Sequence, residues 1–299
     1  MQRSQTAART VLTGLIGAGI GPSLSPALHE REAATLGLPL RYTRWDLATL
    51  GVRPADVGML LDRARGEGYA GLNITHPCKQ LVIPHLDELS PDAAAIGAVN
   101  TVTIGADGAL TGHNTDWTGF RDGLRAGLPG AATARVVLVG AGGAGAAAGY
   151  ALARDGVTGL HVVDADAGRA AHLAASLRPH LAPGATATGH AVAALADLLP
   201  AASGVVHATP VGMAEHPGLP FDAALLAGCP WVAEIVYRPL DTALLGAARA
   251  AGCGTVDGGR MAVHQAAAAF ELFTGRTPDP ARMLGHLAEL ATAEEASRA

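Results

Sequence analysis

Short apolar runs alternate with longer stretches of mixed apolar and polar residues along the first half of the chain. The runs at 10–16, 40–46 and 71–75 have the length and apolar content of strands. The stretches that begin near Pro26 and at 54–67 carry the apolar spacing of helices. Strands that alternate with helices are typical of βαβ units, so this half predicts a mainly parallel sheet.

A second series of the same kind opens after Asp116. Its predicted helices are 118–126 and 145–154, and its predicted strands are 135–139, 159–164, 205–208 and 231–236. The chain has 299 residues, and domains usually hold about 100–200 residues. The sequence therefore predicts an α/β protein of two domains, each large enough to bury its own core.

A glycine-rich turn follows the predicted strand at 135–139. The turn consists of Gly140, Ala141, Gly142, Gly143, Ala144 and Gly145 and leads into an alanine-rich helix. Glycine at these positions permits a tight turn and brings the pyrophosphate of a dinucleotide against backbone N–H groups. The pattern predicts a Rossmann-type doubly wound domain with Gly140, Gly142, Gly143, Ala144 and Gly145 at the cofactor. The clustered glycines also make 136–153 a strand and turn rather than a membrane span.

The next predicted strand ends in Asp164, 24 residues after Gly140. A carboxylate at this place accepts the two ribose hydroxyls of NAD, whereas it repels the 2′-phosphate of NADP. NAD is therefore the predicted cofactor and NADP the less favoured one. An alternative remains open, in which Asp164 caps the following helix, Asp166 lies at the ribose and Arg169 contacts a phosphate.

Composition and charge exclude several classes of protein. With 49% apolar and 16% charged residues the chain is not disordered. A net charge of −5 disfavours nucleic acid and anionic membranes as partners. Three widely spaced cysteines are typical of reduced thiols in the cytosol. The apolar run at 11–20 contains three glycines and lacks a convincing cleavage site, so we predict a cytoplasmic protein without an export signal.

Four polar clusters lie outside the predicted dinucleotide domain. They are Ser23-Leu24-Ser25-Pro26, the segment from Asn73 through Thr75 to Lys79, the segment from Ala98 through Asn100 to Thr101, and the segment from Gly112 through Asn114 to Asp116. With these clusters the sequence closely resembles the shikimate/quinate dehydrogenase family. The resemblance covers nearly the whole chain, because it extends through 208–213, 236–239, 257–261, 264–266 and 270–275.

The resemblance implies a substrate domain at 1–116, completed by 258–299, and an NAD-binding domain at 117–257. It implies that Ser23 and Ser25 hold the carboxylate of a hydroxylated cyclohexane or cyclohexene acid. The residues it implies for the ring hydroxyls are Thr75, Asn100, Asp116 and Gln265. It implies Lys79 and Asp116 as the catalytic dyad. The nicotinamide end would be lined by Pro210, Val211, Gly212, Met213, Ile235 and Gly258.

Lys79 is the single lysine, since the other 20 basic side chains of the 21 are arginines. Oxidation of a secondary alcohol requires a group that takes the hydroxyl proton while hydride leaves carbon. A lysine amine can do this when desolvation lowers its pKa, whereas an arginine cannot. The alternative is a solvated surface lysine, and the placement of the one lysine inside the motif disfavours it.

Structural roles stay open for several of these residues. Ser23 and Ser25 could cap the helix near Pro26, and Asn100 and Asn114 could be turn residues. Tyr237 is either a core aromatic or a substrate contact. Cys78 is expected to be a packed thiol. The histidines lack the spacing of a metal site, so no metal is predicted.

The favoured function is an NAD-preferring dehydrogenase that oxidises the C3 hydroxyl of shikimate, with quinate as a second candidate substrate. NADP-dependent biosynthetic members carry an Asn-Arg-Thr-like segment where this chain has Asp164-Ala165-Asp166, while Ser25 matches the shikimate-type pattern. The alternatives are an NADP-dependent shikimate dehydrogenase, an aminoquinate or aminoshikimate dehydrogenase, and a folate-type dehydrogenase. From another class, a non-catalytic quinate sensor would be expected to lose Lys79 and Asp116. The sequence leaves a monomer and a homodimer open.

Overall fold

The computed structural model describes residues 9–298, with side chains up to residue 293. Its contacts divide the chain into two compact units. Unit 1 contains the chain up to Thr115 and the segment from Ala266 onward, and unit 2 is Asp116–Gln265. The α/β prediction is confirmed in both units.

Unit 1 is built on a mixed sheet. Its strands are β1 Val11–Gly17, β2 Leu40–Asp46, β3 Gly71–Ile74, β4 Glu88–Leu89, β5 Thr101–Ile104 and β6 Leu110–His113. Its helices before residue 115 are α1 Ser25–Thr35, α2 Leu47–Leu50, α3 Val57–Glu67, α4 Cys78–Leu81 and α5 Pro91–Ile96. The strand order is β2-β1-β3-β5-β6-β4, and β5 runs antiparallel to both of its neighbours. The predicted parallel pairing is confirmed for β1 with β2 and with β3.

Helix α3 illustrates how the spacing of apolar residues places a helix against the core of unit 1. Its residues Val57, Leu60, Leu61 and Ala64 recur at helical spacing and are all buried in the core of unit 1. Full burial of one such leucine contributes about 1.5–3 kcal/mol. The helix ends where Gly68 takes a left-handed φ of 75°, a conformation that glycine adopts without a steric penalty.

Unit 2 is built on a parallel sheet. Its strands are β7 Arg135–Val139, β8 Gly159–Asp164, β9 Thr186–Ala191, β10 Gly204–His207, β11 Trp231–Glu234 and β12 Gly254–Val256. Its helices are α6 Asp116–Gly127, α7 Gly143–Arg154, α8 Ala167–Leu177, α9 Leu195–Leu198 and α10 Ala243–Ala250. The strand order is β12-β11-β10-β7-β8-β9, so the chain reverses its direction of winding beside β7. In such sheets, ligands bind outside the carboxyl ends of the strands at this switch point.

The last two helices complete unit 1. Helix α11 Gly258–Thr274 begins in unit 2 and ends in unit 1, and α12 is Pro280–Arg298. Glu32, a fully buried residue of α1, accepts from the Arg282 Nε at 2.9 Å and from the backbone N–H of Asp279 at 2.9 Å. His29, also in α1, lies against the ring of Phe270. The C-terminal helices therefore supply both apolar and charged partners to the first helix of the chain.

The described residues contain neither a candidate membrane span nor a candidate metal site. No helix among them is both long enough and apolar enough to cross a membrane. They also contain no group of three or more His, Cys, Asp or Glu side chains arranged to hold a metal ion. The three cysteines are free and buried, and Cys78 packs in the core of unit 1 as predicted.

Candidate active site

A buried polar network lies at the centre of the unit 1 sheet. The Tyr42 hydroxyl donates to Asn73 Oδ1 at 2.8 Å, and Asn73 Nδ2 donates to Thr101 Oγ1 at 3.0 Å. The Thr101 hydroxyl in turn donates to Asn100 Oδ1 at 3.0 Å. Burial raises the pKa of Tyr42, so its hydroxyl stays protonated and remains a donor. The network connects β2, β3 and β5 and ends on a residue of the predicted site.

Both the oxygen and the nitrogen of the Asn100 side-chain amide form hydrogen bonds. Its Oδ1 accepts from the backbone N–H of Thr115 at 2.6 Å, and its Nδ2 donates to Thr115 Oγ1 at 2.9 Å. Asn114 is also buried and donates through Nδ2 to the carbonyl of Ala98 at 3.0 Å. The side chains of both asparagines therefore fix neighbouring segments, which a simple turn role does not explain. Thr115 directly precedes Asp116, so the same bonds anchor the backbone that leads to Asp116.

Lys79 lies on the one-turn helix α4 and is half-buried. Its carbonyl accepts from the N–H of Val99 at 2.8 Å, so α4 is joined to the segment that carries Asn100. The half-buried Thr75 precedes α4, and its carbonyl accepts from the N–H of Cys78 at 2.8 Å. A Cβ on Gly17 would lie 2.3 Å from the Thr75 methyl, so this glycine allows β1 and Thr75 to approach closely. Unit 1 thus brings Thr75, Lys79 and Asn100 together through backbone bonds.

Ser23 and Ser25 are half-buried at the turn that leads into α1. Ser23 Oγ accepts from the N–H of Ser25 at 3.3 Å, while the N-cap position of the helix is held by Leu24. The guanidinium of Arg44 donates to the carbonyl of Ser23 at 2.8 Å. The alternative role of the serines as helix caps is therefore limited to one local bond, which the Ser23 hydroxyl oxygen accepts, and a positive charge lies beside the turn.

The glycine-rich turn of unit 2 has the form that the sequence predicts. Gly140 has a φ of 110°, and a Cβ on Gly145 would lie 2.0 Å from the Gly140 carbonyl oxygen, so both positions require glycine. A Cβ on Gly143 would meet no described atom within 4 Å. Helix α7 begins at Gly143, with Gly142 as its N-cap residue and Ala144 in its first turn. Free backbone N–H groups at a helix start, beside open space, fit the pyrophosphate of a dinucleotide.

Asp164 ends β8 beside this turn. Its Oδ2 accepts from the N–H of Ala141 at 2.7 Å and its Oδ1 from the N–H of Asp166 at 3.0 Å. Burial raises the pKa of Asp164, but these two N–H groups and the charge of Arg169 outweigh it and hold the pKa below its usual value. The carboxylate is thus ionised at neutral pH, with lone pairs left over for ribose hydroxyls.

The alternative in which Asp164 caps the following helix is wrong about the capping residue. Asp166, not Asp164, caps α8, because its Oδ1 accepts from the N–H groups of Gly168 and Arg169. Asp164 faces the glycine-rich turn instead. Arg169 is exposed, and its guanidinium lies 3.8 Å from the position of a Cβ on Gly142.

The remaining predicted site residues of unit 2 lie at or after strand ends and on helices α6 and α11. Asp116 is buried at the first position of α6, and Tyr237 is half-buried after β11. Gln265 on α11 is half-buried, and its Nε2 donates to the carbonyl of Ala262 at 3.0 Å. A Cβ on Gly258 would lie 2.3 Å from the carbonyl oxygen of Ile235, so glycine is required where α11 starts.

The loop after β10 contains Pro210, Val211, Gly212 and Met213. Val211, Gly212 and Met213 are half-buried, whereas Pro210 is exposed. The N–H of Met213 donates to the Pro210 carbonyl at 3.1 Å, and Gly212 has a φ of 98°. The loop therefore folds back on itself at the carboxyl edge of the sheet.

The sequence patterns missed a buried pair next to this loop, formed by His207 and Glu234. Their signal was nevertheless visible, because each is a polar residue at the end of an apolar strand. They also missed Tyr42, which reaches Asn100 through Asn73 and Thr101. Nothing in the spacing of Tyr42 along the chain links it to these residues, since it lies on another strand.

Known proteins share both the sequence and the fold. A model of the shikimate dehydrogenase substrate binding domain matches residues 15–102, and one of the shikimate 5′-dehydrogenase C-terminal domain matches residues 259–287. The shikimate dehydrogenase (NADP(+)) of Streptomyces avermitilis is 58% identical over 94% of this chain and 96% of that protein. The quinate/shikimate dehydrogenase (NAD(+)) of Corynebacterium efficiens is 50% identical over 92% of this chain and 96% of that protein.

A solved structure extends this similarity. The quinate dehydrogenase from Corynebacterium glutamicum in complex with NAD has a TM-score of 0.88 at 48% identity, over 94% of this chain and 99% of that chain. Three relatives named for NADP, at 54–58% identity, are slightly more similar in sequence than three named for NAD, at 50%, so the comparisons establish the family but not the cofactor branch. The chain belongs to the shikimate/quinate dehydrogenase family of NAD(P)-dependent oxidoreductases, which act on a CH–OH group.

Proposed function

We propose that this protein is an NAD-preferring shikimate dehydrogenase that reversibly oxidises the C3 hydroxyl of shikimate to 3-dehydroshikimate. Quinate is the second substrate in the proposal. The observation that carries the cofactor preference is the ionised Asp164 on the N–H of Ala141, beside the start of α7. Streptomyces and Corynebacterium relatives named for shikimate or quinate support the substrate class.

The dinucleotide would be held by this chain's own turn and strand ends. Gly140, Gly142, Gly143, Ala144 and Gly145 would surround the pyrophosphate, and Asp164 would accept from the adenosine ribose. The nicotinamide end would be bordered by the four residues of the loop after β10, together with Ile235 and Gly258. When bound, the dinucleotide supplies the acceptor for hydride in the oxidation direction.

The substrate would be bound by the polar residues of unit 1, together with Asp116, Tyr237 and Gln265. Ser23 and Ser25 would hold its carboxylate, with Arg44 adding positive charge beside the turn. Thr75, Asn100, Asp116 and Gln265 would hold the ring hydroxyls. Because Asn100 is fixed from inside by Thr101 and Thr115, its amide is preorganised before the substrate binds.

Lys79 and Asp116 are the proposed catalytic dyad. The Lys79 amine takes the C3 hydroxyl proton as hydride leaves the carbon, and it returns the proton in the reverse direction. The Asp116 carboxylate orients the ammonium that results. The backbone bond between Lys79 and Val99 supports this assignment, because it holds α4 next to the segment of Asn100.

The first experiment tests the reaction with the purified protein. NADH or NADPH formation is followed at 340 nm with shikimate or quinate and NAD or NADP, in all four combinations. We expect turnover with shikimate and NAD. Absence of reduced nucleotide in every combination would overturn the enzymatic proposal and favour a quinate-sensing protein.

The second experiment tests Lys79. Lys79→Arg keeps the positive charge but does not release its proton at neutral pH, so turnover should fall by about 10²-fold or more. NADH binding, measured by fluorescence, should remain. The matched control is Gln80→Ala, the exposed neighbour on α4, which should leave turnover within about twofold. Full activity of Lys79→Arg would remove this residue from proton transfer.

NADP dependence is the second candidate, and Arg169 is the observation that favours it. Its guanidinium lies close to Gly142 and is exposed, so it could contact a 2′-phosphate. Asp164→Asn removes the carboxylate charge and should raise kcat/KM for NADP by about 10- to 100-fold. Asp166→Asn is the control of equal charge. A larger effect of Asp166→Asn than of Asp164→Asn would place Asp166 at the ribose instead.

A further inference from the structure

Two fully buried polar side chains end adjacent strands of unit 2. His207 is the last residue of β10 and Glu234 the last of β11, and the two face each other in the strand register. His207 Nδ1 lies 2.8 Å from Glu234 Oε1, and neither side chain is exposed. Neither residue belongs to the site as proposed above.

Glu234 also binds the segments that follow β11. Its Oε1 accepts from the N–H of Val236 at 3.0 Å, and its Oε2 accepts from the Thr242 hydroxyl at 3.2 Å. Thr242 is the N-cap residue of α10. A buried carboxylate destabilises a fold unless hydrogen bonds compensate its lost hydration, and here three donors do so. Glu234 thus joins the end of β10, the segment that follows β11 and the start of α10.

The second nitrogen of His207 reaches the loop after β10. His207 Nε2 lies 2.5 Å from Thr209 Oγ1, and the same oxygen accepts from the N–H of Val211 at 3.3 Å. A carboxylate only accepts, so Nδ1 carries a proton toward Glu234, and in the neutral tautomer of the ring Nε2 accepts from the Thr209 hydroxyl. Every group in this chain of bonds then has a partner, from the carboxylate to the amide of Val211.

The loop lies where a dinucleotide would cross the sheet. A Cβ on Gly140 would lie 2.6 Å from the carbonyl oxygen of Ala208 and 3.0 Å from the Thr209 methyl, so the loop adjoins the glycine-rich turn. Strand β10 pairs with β7 on the side opposite to β8. The adenosine end would lie over β8, at Asp164, so the nicotinamide end must lie over β10 across the switch point.

We propose that His207, through Thr209, is a positioning residue for the nicotinamide half of the cofactor. The buried Glu234 fixes the imidazole, the imidazole fixes the Thr209 hydroxyl, and that hydroxyl fixes the amide of Val211 in the loop. This inference rests on the proposed dinucleotide function. It concerns the shape of the loop before the cofactor binds, since none of these bonds needs a ligand.

The test compares two ligands that share the adenosine end. NADH contains the nicotinamide, whereas ADP-ribose lacks it, and calorimetry measures the Kd of both. Thr209→Val removes the hydroxyl with little change of shape and should weaken NADH binding about tenfold, the loss expected for one hydrogen-bonded link. ADP-ribose binding should stay within about twofold of the wild type, because the proposed contacts of that end lie over β7 and β8.

Thr209→Ser is the matched control, because it keeps the hydroxyl and should bind both ligands like the wild type. In the shikimate assay, Thr209→Val should raise KM for the dinucleotide and leave KM for shikimate unchanged. Equal NADH affinity in Thr209→Val and wild type overturns the inference, as does an equal loss for NADH and ADP-ribose. A wild type that binds neither ligand overturns the proposed function as well, which separates the two failures.

Discussion

The buried His29 should make the free energy of unfolding of unit 1 depend on pH. The imidazole is fully buried beside the rings of Tyr42, Phe270 and Phe273, and its Nδ1 has no hydrogen-bond partner among the described residues. Burial lowers the pKa of His29 from 6.5 to about 3. The folded state therefore holds the neutral ring at every pH above about 3, while the unfolded chain binds a proton below pH 6.5.

The sign and size of the effect follow from this difference. Because the unfolded state binds more protons, the contribution of His29 is fully present above pH 6.5 and is lost as the pH falls toward 3. Each pH unit in this window costs about 1.4 kcal/mol. Lowering the pH from 7.5 to 5.0 crosses about 1.5 units of the window, so the free energy of unfolding falls by about 2 kcal/mol through this one residue.

Urea unfolding at pH 7.5 and pH 5.0, followed by circular dichroism, measures this loss. His29→Leu replaces the ring by an apolar side chain that does not titrate, so the variant should lose about 2 kcal/mol less than the wild type between the two pH values. His85→Leu is the control, because His85 is an exposed histidine of the same unit. Equal losses in wild type and His29→Leu would show that the buried ring is not what opposes protonation.

Two further predictions concern the two units separately. Gly145→Ala places a Cβ 2.0 Å from the Gly140 carbonyl oxygen, so it should lower Tm by more than about 4 °C and abolish NADH binding, whereas Gly143→Ala, with open space around it, should keep the Tm of the wild type. Calorimetric scans check both, and an unchanged Tm in Gly145→Ala would contradict the tight turn. Asn73→Leu leaves the buried Tyr42 hydroxyl without its acceptor and should cost about 1–3 kcal/mol in urea unfolding. Adding Tyr42→Phe should recover part of that loss, and strict additivity of the two changes would refute their coupling.

The spacing of apolar residues predicted several strands of this fold. The predicted strands 40–46, 135–139 and 159–164 match β2, β7 and β8 to the residue. Edge strand β9 was not predicted, because only Ala187 of its six residues is buried and no apolar alternation marks it. The antiparallel course of β5 was not predicted either, since the direction of a strand depends on its neighbours in the sheet.

The candidate site was predictable as far as local motifs reach. The glycine-rich turn and Asp164 follow consecutive elements, so the order of strand, turn and helix predicts their positions. The bonds from Asn73 to Asn100 and Thr101 join residues 27 and 28 positions apart, and the bond from His207 to Glu234 joins strands whose order in the sheet the sequence does not contain. Their positions follow from the register of the sheets, which tertiary packing decides.

Unit 1 is formed by two separate segments of the chain, which leave the ribosome at different times. The first 115 residues emerge early, yet α1 buries Glu32 against Arg282, which is translated 250 residues later. Until then the nascent carboxylate lacks its guanidinium, and His29 lacks the phenylalanines of α11. Unit 2, by contrast, is one continuous segment and can close as soon as residue 265 has left the exit tunnel. Unit 1 can therefore complete these contacts only after α12 has been translated, whereas unit 2 needs no residue beyond 265.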